Sequence, residues 1–414
     1  MSARSMTCGV ATVAVCCVAA FATVTSAAEW RDFRGVGADG GATLPAEWSL
    51  EESTGVAWQA ELPGRGVSGP IVVDGRVVVT GSDGPSRQRL HVAAYDDKTG
   101  EELWLRRFSA AGRTFCHETS ANAAPTPATD GERVYAFFSS NELVALDLDG
   151  NVQWVRCLAL DHPGVGNDVG MASSPVVIDG VVVVQAECQR NSFAIAVDAR
   201  TGQTRWELER PASSNWTTPL ATTLDDGRAI VLLQSREGLV AYTASGGEKV
   251  WELQMECDGV PSIAKAGERI TVASDGLLTS LRLNGPAAPE LDWRTTALAP
   301  GSPSPVFAGE RVVIVNRSGV VVCGAGESSD VLWRRRLRGR FWATPAVSGG
   351  RGLFVNADGK AWVLDLENNG RIVLEADFGE PVLASPAATG GALYVRSYTR
   401  LWKIGPDATD APGG

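Results

Sequence analysis

The residues with chemical potential in this chain are few and widely separated. Eleven stand out: His117, Glu118, Asn122, Asn167, Asp168, Asn215, Trp216, Asp258, Arg340, Trp342 and Glu380. They mix acids, amides, one histidine, one arginine and two tryptophans. If a fold brought them to one opening, they could hold a polar ligand, a sugar, a peptide or a divalent cation. Glu118, Asp168 and Asp258 carry the oxygens that calcium needs in sets of six to eight. Other chemistries lack their residues. There are three histidines and no HExxH, and Gly66-Val-Ser68-Gly69-Pro70 breaks the GxSxG pattern. Phe115-Cys116-His117-Glu118 is a lone Cys-His pair, read more simply as a packed loop. Arg334-Arg335-Arg336-Leu-Arg338-Gly-Arg340 is the one basic cluster; alternation along a strand leaves only its Arg340 end near such an opening.

What would gather these residues is a repeat. Trp58, Trp104, Trp154, Trp206, Trp251, Trp293 and Trp333 recur 40 to 52 residues apart. Ala94 to Trp104 and Ala196 to Trp206 both spell AxDxxTGxxxW. In that sentence Asp starts a turn by accepting backbone N–H groups, Gly takes a positive φ, and Trp on the returning strand packs sideways. Other copies are shorter, longer or stripped of the Asp, and Val373 stands where an eighth Trp would fall. A second marker is a small residue, a Pro, a β-branched run and a Gly turn, as in Ser174-Pro175-Val-Val-Ile-Asp179-Gly180. It recurs at Pro70, Pro127, Pro175, Pro219, Pro261, Pro305, Pro345 and Pro386.

A period near 45 residues with Pro opening each unit specifies four-stranded blades whose first strand is an edge. The expected fold is therefore all-β: an eight-bladed β-propeller of four-stranded antiparallel blades. The last unit ends one strand short, and Val56–Leu62 is an outer strand without a preceding unit. The last blade is thus closed by an N-terminal strand, which also removes an open edge. The expected organisation is a signal peptide at 1–28, an N-terminal leader at 29–55 lying on the disc, the propeller at 56–405 and a flexible tail at 406–414. The loops before each innermost strand then meet at one mouth of the channel, and they carry the polar and aromatic set named above. Trp216 and Trp342 fall out of phase with the packing tryptophans and are the aromatic candidates for ligand contact.

Composition narrows the partners. Residues 1–28 hold one charge, Arg4, an apolar run from Cys8 to Val24 and a small-residue site at Ser26-Ala27-Ala28. This reads as a secretory signal cleaved near Ala28, giving a secreted or periplasmic protein with no lipid-attachment Cys and no spanning segment in the mature chain. Losing Arg4 leaves that chain one unit more negative than the whole sequence's −11. Phosphate is repelled by such a surface, which argues against nucleic acid. Five cysteines remain, Cys116, Cys157, Cys188, Cys257 and Cys323, so at least one is unpaired.

The AxDxxTGxxxW sentence resembles the repeat of pyrroloquinoline-quinone-like, or quinoprotein alcohol dehydrogenase-like, β-propellers, and does so over nearly the whole mature chain. The resemblance implies two functional branches. In the larger enzymes a quinone (PQQ) and Ca²⁺ sit at the propeller axis; on that branch Asp168 or Asp258 would be the base and Glu118 a calcium ligand. The cofactor-free branch includes the lipoprotein that assists outer-membrane β-barrel assembly, and this chain is similar to it in length. The enzyme branch commonly has adjacent cysteines over the quinone, whereas Cys16-Cys17 here lies in the signal segment, and no CxxCH for haem is present. The expectation is a monomeric, non-catalytic binding or assembly scaffold with a protein or cell-envelope partner and no cofactor. The alternatives are a minimal PQQ/Ca-dependent dehydrogenase and a carbohydrate-binding propeller using Trp216 and Trp342.

Overall fold

The computed structural model describes residues 29–35 and 42–406. The expected signal peptide and all but the first residue of the expected tail lie outside the described residues. The strands form eight four-stranded antiparallel sheets, and in seven of them the sheet order is the chain order. Blades 1 to 7 run over residues 71–109, 128–157, 176–209, 220–254, 264–295, 306–336 and 346–377. Blade 8 comprises Ala387–Thr389, Ala392–Arg396, Arg400–Ile404 and, as its outermost strand, Val56–Glu61. Val56 pairs with Ile404 and Glu61 with Arg400, so the N-terminal strand closes the ring.

Each blade follows from its residue types. The second strand of a blade is a β-branched or aliphatic run buried on both faces, such as Val181–Ala186 or Ala229–Ser235, because neighbouring blades cover it from either side. The outer strand alternates, as in Thr204–Glu209, where Trp206 is buried between exposed neighbours. The innermost strands are only two to four residues long and follow the Pro markers. Seven Pro residues sit directly before that strand. The eighth does not: in blade 5 Ile263 takes the Pro position and Pro261 lies two residues earlier.

The tryptophans form a belt at the rim. The indole N–H donates to a carbonyl in the next blade's outer turn: Trp58 to Asp97, Trp104 to Leu148, Trp154 to Ala199, Trp206 to Ala244, Trp293 to Gly326 and Trp333 to Leu366, at 2.8–3.1 Å. The same rings lie flat on turn glycines. A Cβ on Gly100, Gly150, Gly202, Gly247 or Gly370 would come within 2.7 Å of the docked indole, and all five have positive φ. Gly is thus required twice at these turns, for conformation and for contact. An Arg two positions beyond the Trp caps the Gly carbonyl in three blades: Arg106 to Gly150, Arg156 to Gly202 and Arg335 to Gly370.

The belt fails where its acceptor turn changes. Trp251 faces blade 5, whose outer hairpin is drawn out so that Asn284 pairs with Ala287, and its N–H has no partner. Val373 replaces Trp where the next blade is split and has no continuous turn between Ile404 and Val56. There Trp48 packs on Phe378, itself against Trp402, with ring centroids 5.9 and 5.0 Å apart. The closing seam to blade 1 adds a polar cluster to its apolar packing: the Asp97 carboxylate accepts from Tyr394 at 2.6 Å and faces the buried Lys403 ammonium at 3.2 Å.

The leader departs from expectation. It does not simply lie on the disc. Trp30 exchanges two 2.9 Å backbone hydrogen bonds with Val72 of blade 1's innermost strand, and Arg31 O accepts the Thr129 N–H of blade 2. The segment 29–35 is therefore pinned to the inner edge of blade 1 by a single β-bridge and places Phe33 in the lining of the axial channel. Farther on, Ser348 donates to Ala42 O and Arg351 to Leu44 O, seating residues 42–50 on blades 7 and 8.

Candidate functional site

Just inside the expected mouth, the residue before each Pro is Ser or Thr in six blades, and Ser262 takes the same place before Ile263 in blade 5. The structure joins them into a second belt, around the axis. Gly69 N donates to Thr126 Oγ1, Thr126 N to Ser174 Oγ, Ser174 N to Thr218 Oγ1, Thr218 N to Ser262 Oγ, Ser262 N to Ser304 Oγ, Ser304 N to Thr344 Oγ1 and Thr344 N to Ser385 Oγ, at 2.8–3.1 Å. Backbone N–H groups that the edge strand would leave open are thereby satisfied by the neighbouring blade. The belt has one gap, at Gly69, where a Cβ would stand 2.8 Å from Ser385 O and leaves no room for a hydroxyl side chain. Each hydroxyl accepts one N–H and keeps its own proton to donate.

Above this belt lies a cavity of about 410 Å³. Phe33 of the leader is in its lining and also in that of a second chamber below, so this ring divides the channel. Val67, Val169, Val260, Leu383, Trp216 and Trp342 supply apolar wall, and Thr126, Ser174, Thr218, Ser262, Ser304, Thr344 and Ser385 supply hydroxyls. Trp216 is held by its N–H on Gly170 O at 2.8 Å. Trp342 is 44% exposed, a large aromatic face that the protein leaves uncovered.

The expected site residues divide. Trp216, Trp342 and His117 line the cavity, with His117 Nδ1 2.8 Å from Thr119 Oγ1. Asn167 and Asn215 do not: both are buried beneath the loops. Asn167 Oδ1 accepts Val169 N, and Asn215 bridges Glu187 Oε2 and Gln234 O. Asn122 is buried likewise and accepts Ser140 N. Glu118 is exposed, with its backbone carbonyl taken by Arg65. Asp168 turns outward to Arg113 at 3.1 Å and its side chain is 85% exposed. Asp258 spends its backbone on Ala273 and Gln234 and is absent from the cavity wall. Arg340 is exposed beside the mouth, and Glu380 accepts from Thr399 Oγ1. Under Asn215 lies a buried ion pair, Arg210 to Glu187 at 2.7 Å, whose burial pushes the Glu187 carboxyl up despite the cation.

The donor set therefore does not suit a calcium-bound quinone. No carboxylate lines the cavity, and among the described residues no group of three or more His, Cys, Asp and Glu gathers at one point. All five described cysteines are free.

Against known proteins, residues 48–215, 164–277 and 282–369 match the family model described as outer membrane protein assembly factor BamB. The chain belongs to this family. Two curated members are alike in sequence over 203 residues: the BamB proteins of Moranella endobia (strain PCIT), 24% identical over 45% of this chain, and of Yersinia pestis, 26% identical over 47%. The chain spans a little under half the length of these relatives, 47% and 45%. Among solved structures, BamB from Moraxella catarrhalis superposes with a TM-score of 0.64 at 17% identity, covering 85% of this chain and 98% of that one. Quinohemoprotein alcohol dehydrogenase from Comamonas testosteroni superposes with a TM-score of 0.67 at 14% identity, covering 93% and 82%. Both likenesses establish the propeller alone, since one architecture carries a factor in assembly and a redox enzyme. Sequence reasoning missed the hydroxyl belt and Phe33. The belt's signal was present, a Ser or Thr in constant phase with the Pro markers.

Proposed function

We propose that this protein is a non-catalytic binding or assembly scaffold of the cell envelope, acting on outer-membrane proteins from the non-cytoplasmic side. The observation that carries the proposal is the mouth cavity: it offers apolar wall, one uncovered indole and donor hydroxyls, and no carboxylate to serve as a base or a metal ligand. The family match is consistent with it. Such a lining suits an apolar or aromatic side chain on an extended chain, held by a rigid aromatic anchor and oriented by hydroxyl donors. Binding of a fluorescently labelled, urea-unfolded outer-membrane β-barrel protein to the mature chain, read by anisotropy, tests this. Saturable binding that a soluble α-helical control does not compete is expected; equal binding of the control counts against the proposal.

A second reading is favoured by Trp342 standing uncovered beside the hydroxyls: a neutral carbohydrate stacked on the indole. Binding on a glycan array that disappears in a Trp216→Ala/Trp342→Ala variant would support it, and an unchanged array would dismiss it.

A further inference from the structure

Surface arginines of this ring are commonly answered by an acid: Arg76 by Asp74, Arg89 by Asp83, Arg113 by Asp168, Arg205 by Asp198 and Arg228 by Asp226. The stretch from blade 6 into blade 7 departs from this. Arg317 stands in the blade 6 turn on the mouth side, and Arg338 and Arg340 stand in the loop before the innermost strand of blade 7. All three are exposed, and their side chains make no hydrogen bond and no ion pair. Arg336 ends the outer strand of blade 6 beside them and spends one N–H on Ser318 O at 3.3 Å. The backbone that carries them is fixed. Leu337 N donates to Gly319 O at 2.9 Å, Ala357 N to Arg340 O at 2.7 Å and Asn356 Nδ2 to Arg338 O at 2.8 Å. Leu337 and Phe341 are buried beneath the loop, which leaves Arg338, Arg340 and Trp342 facing out.

Among the described residues no acid pairs with this cluster. The mouth-side turns of blades 5 and 7 carry Asp275 and Asp358, both exposed, and neither forms an ion pair. Glu380 turns to Thr399 Oγ1 at 2.7 Å and to Arg400 at 3.9 Å. Charged side chains guard the open edge of an outer strand, which accounts for Arg334 and Arg336. Arg317, Arg338 and Arg340 lie off that edge, and Trp342, two residues beyond Arg340, is part of the mouth cavity's wall. This side of the opening therefore presents guanidinium and hydroxyl donors and an aromatic face, with no carboxylate in the cavity wall. Its complement carries carboxylates and an aromatic or apolar side chain together. A lipid headgroup surface has the charge but is flat. The belt hydroxyls lie at the cavity floor, where a side chain reaches and a bilayer does not.

We propose that Arg317, Arg338 and Arg340, with Trp342, form a docking surface for an acidic, extended polypeptide segment. An aromatic side chain of that segment enters the mouth cavity beside Trp342, and its flanking carboxylates meet the three guanidinium groups. The inference rests on the mouth being the binding site, as the scaffold reading has it, and adds the chemistry that the mouth selects. Because the arginines stand on a fixed loop with their N–H forks unspent, they take carboxylates without first giving up a partner.

The experiment is anisotropy on the full mature chain with labelled peptides of equal length that alternate Phe with Glu, with Ser or with Lys. Exposed ion pairs worth roughly two- to threefold each multiply to about a tenfold preference for the Glu peptide over the Ser peptide at low salt. The Lys peptide is expected to bind most weakly. The preference should shrink as sodium chloride rises from about 0.05 M to about 0.5 M, because such pairs are screened. Arg338→Gln/Arg340→Gln should melt as wild type does, lose most of the Glu preference and keep its affinity for the Ser peptide. Lys98→Gln/Arg200→Gln, which removes the same charge from exposed turns on the opposite face, should keep the preference. Equal binding of the Glu and Ser peptides, or a preference that survives in Arg338→Gln/Arg340→Gln, overturns the inference and leaves the scaffold reading standing. So does binding of the unfolded barrel protein without binding of any peptide; if neither binds, both readings fall. An Arg338→Gln/Arg340→Gln protein that melts well below wild type overturns it as well, since the arginines would then be structural. Phosphatidylglycerol vesicles that bind wild type and not this variant, with no preference among the peptides, would give the surface to a membrane instead.

Discussion

Two belts run around this ring, one at the rim and one at the axis, and they differ in what they do with the same eightfold repetition. At the rim, indoles lie on turn glycines and donate to carbonyls of the next blade. The side chain is consumed by packing: Trp104 is 8% exposed and Trp206 7%. At the axis, small hydroxyls accept backbone N–H groups and keep a proton facing a cavity. The rim belt breaks where an acceptor turn is lost, at Trp251 and Val373. The axial belt breaks where two backbones approach too closely, at Gly69. Residues repeated for packing thus spend their chemistry on the fold, while residues repeated for backbone satisfaction leave chemistry over.

The largest expected effect lies at the rim. Trp104→Ala should cost about 3–5 kcal/mol of unfolding free energy by denaturant titration, as expected for truncating a buried indole. Trp251→Phe against Trp104→Phe sharpens the point. Losing the N–H bond to Leu148 O should cost about 1 kcal/mol at Trp104, and the change should be close to neutral in that respect at Trp251, whose N–H has no partner. Equal costs would mean the indole N–H bonds do not hold the seams.

At the closing seam, Lys403→Met leaves Asp97 facing a buried seam without its cation, and a loss of about 3–5 kcal/mol is expected. At the axis, Ser262→Ala orphans the buried Thr218 N–H and should cost about 1–3 kcal/mol. The smallest effect concerns acid. Asp198, in the turn of blade 3, is held down to about 2 by hydrogen bonds from the Arg205 and Thr201 side chains. A carboxyl lowered in the folded state adds stability that is complete above its ordinary range near 4 and is lost as pH falls through about 2. Asp198→Asn should flatten that limb of the stability–pH curve, and an unchanged limb would place the shift elsewhere.

The rim belt was legible in the sequence because Trp is rare, large and held in phase by Gly; it yielded blade number, strand order and the split last blade. The candidate site was legible only in part. Trp216 and Trp342 betrayed themselves by falling out of phase. Asn167, Asn215 and Asp168 share the same loops but turn inward to the loop backbone or outward to Arg113, and type with spacing cannot tell such orientations apart. The hydroxyl belt was hidden by its ordinariness, since Ser and Thr before Pro read as turn residues anywhere. Phe33 was invisible for a different reason: nothing in Trp30-Arg-Asp-Phe33 indicates that this segment adds to the inner edge of blade 1.

The proposed division of labour gives binding to the axial cavity and leaves the rim belt to hold the ring. Affinity for an unfolded outer-membrane β-barrel protein, measured by anisotropy on folded Trp342→Ala and Trp104→Phe variants, tests it most directly. Truncating an anchor aromatic at a binding site is expected to weaken Kd by about tenfold or more with little change in melting temperature. Trp104→Phe should lower the melting temperature and leave Kd unchanged. A Trp342→Ala protein that binds as wild type does, or a Trp104→Phe protein that loses binding while still folded, would contradict the account.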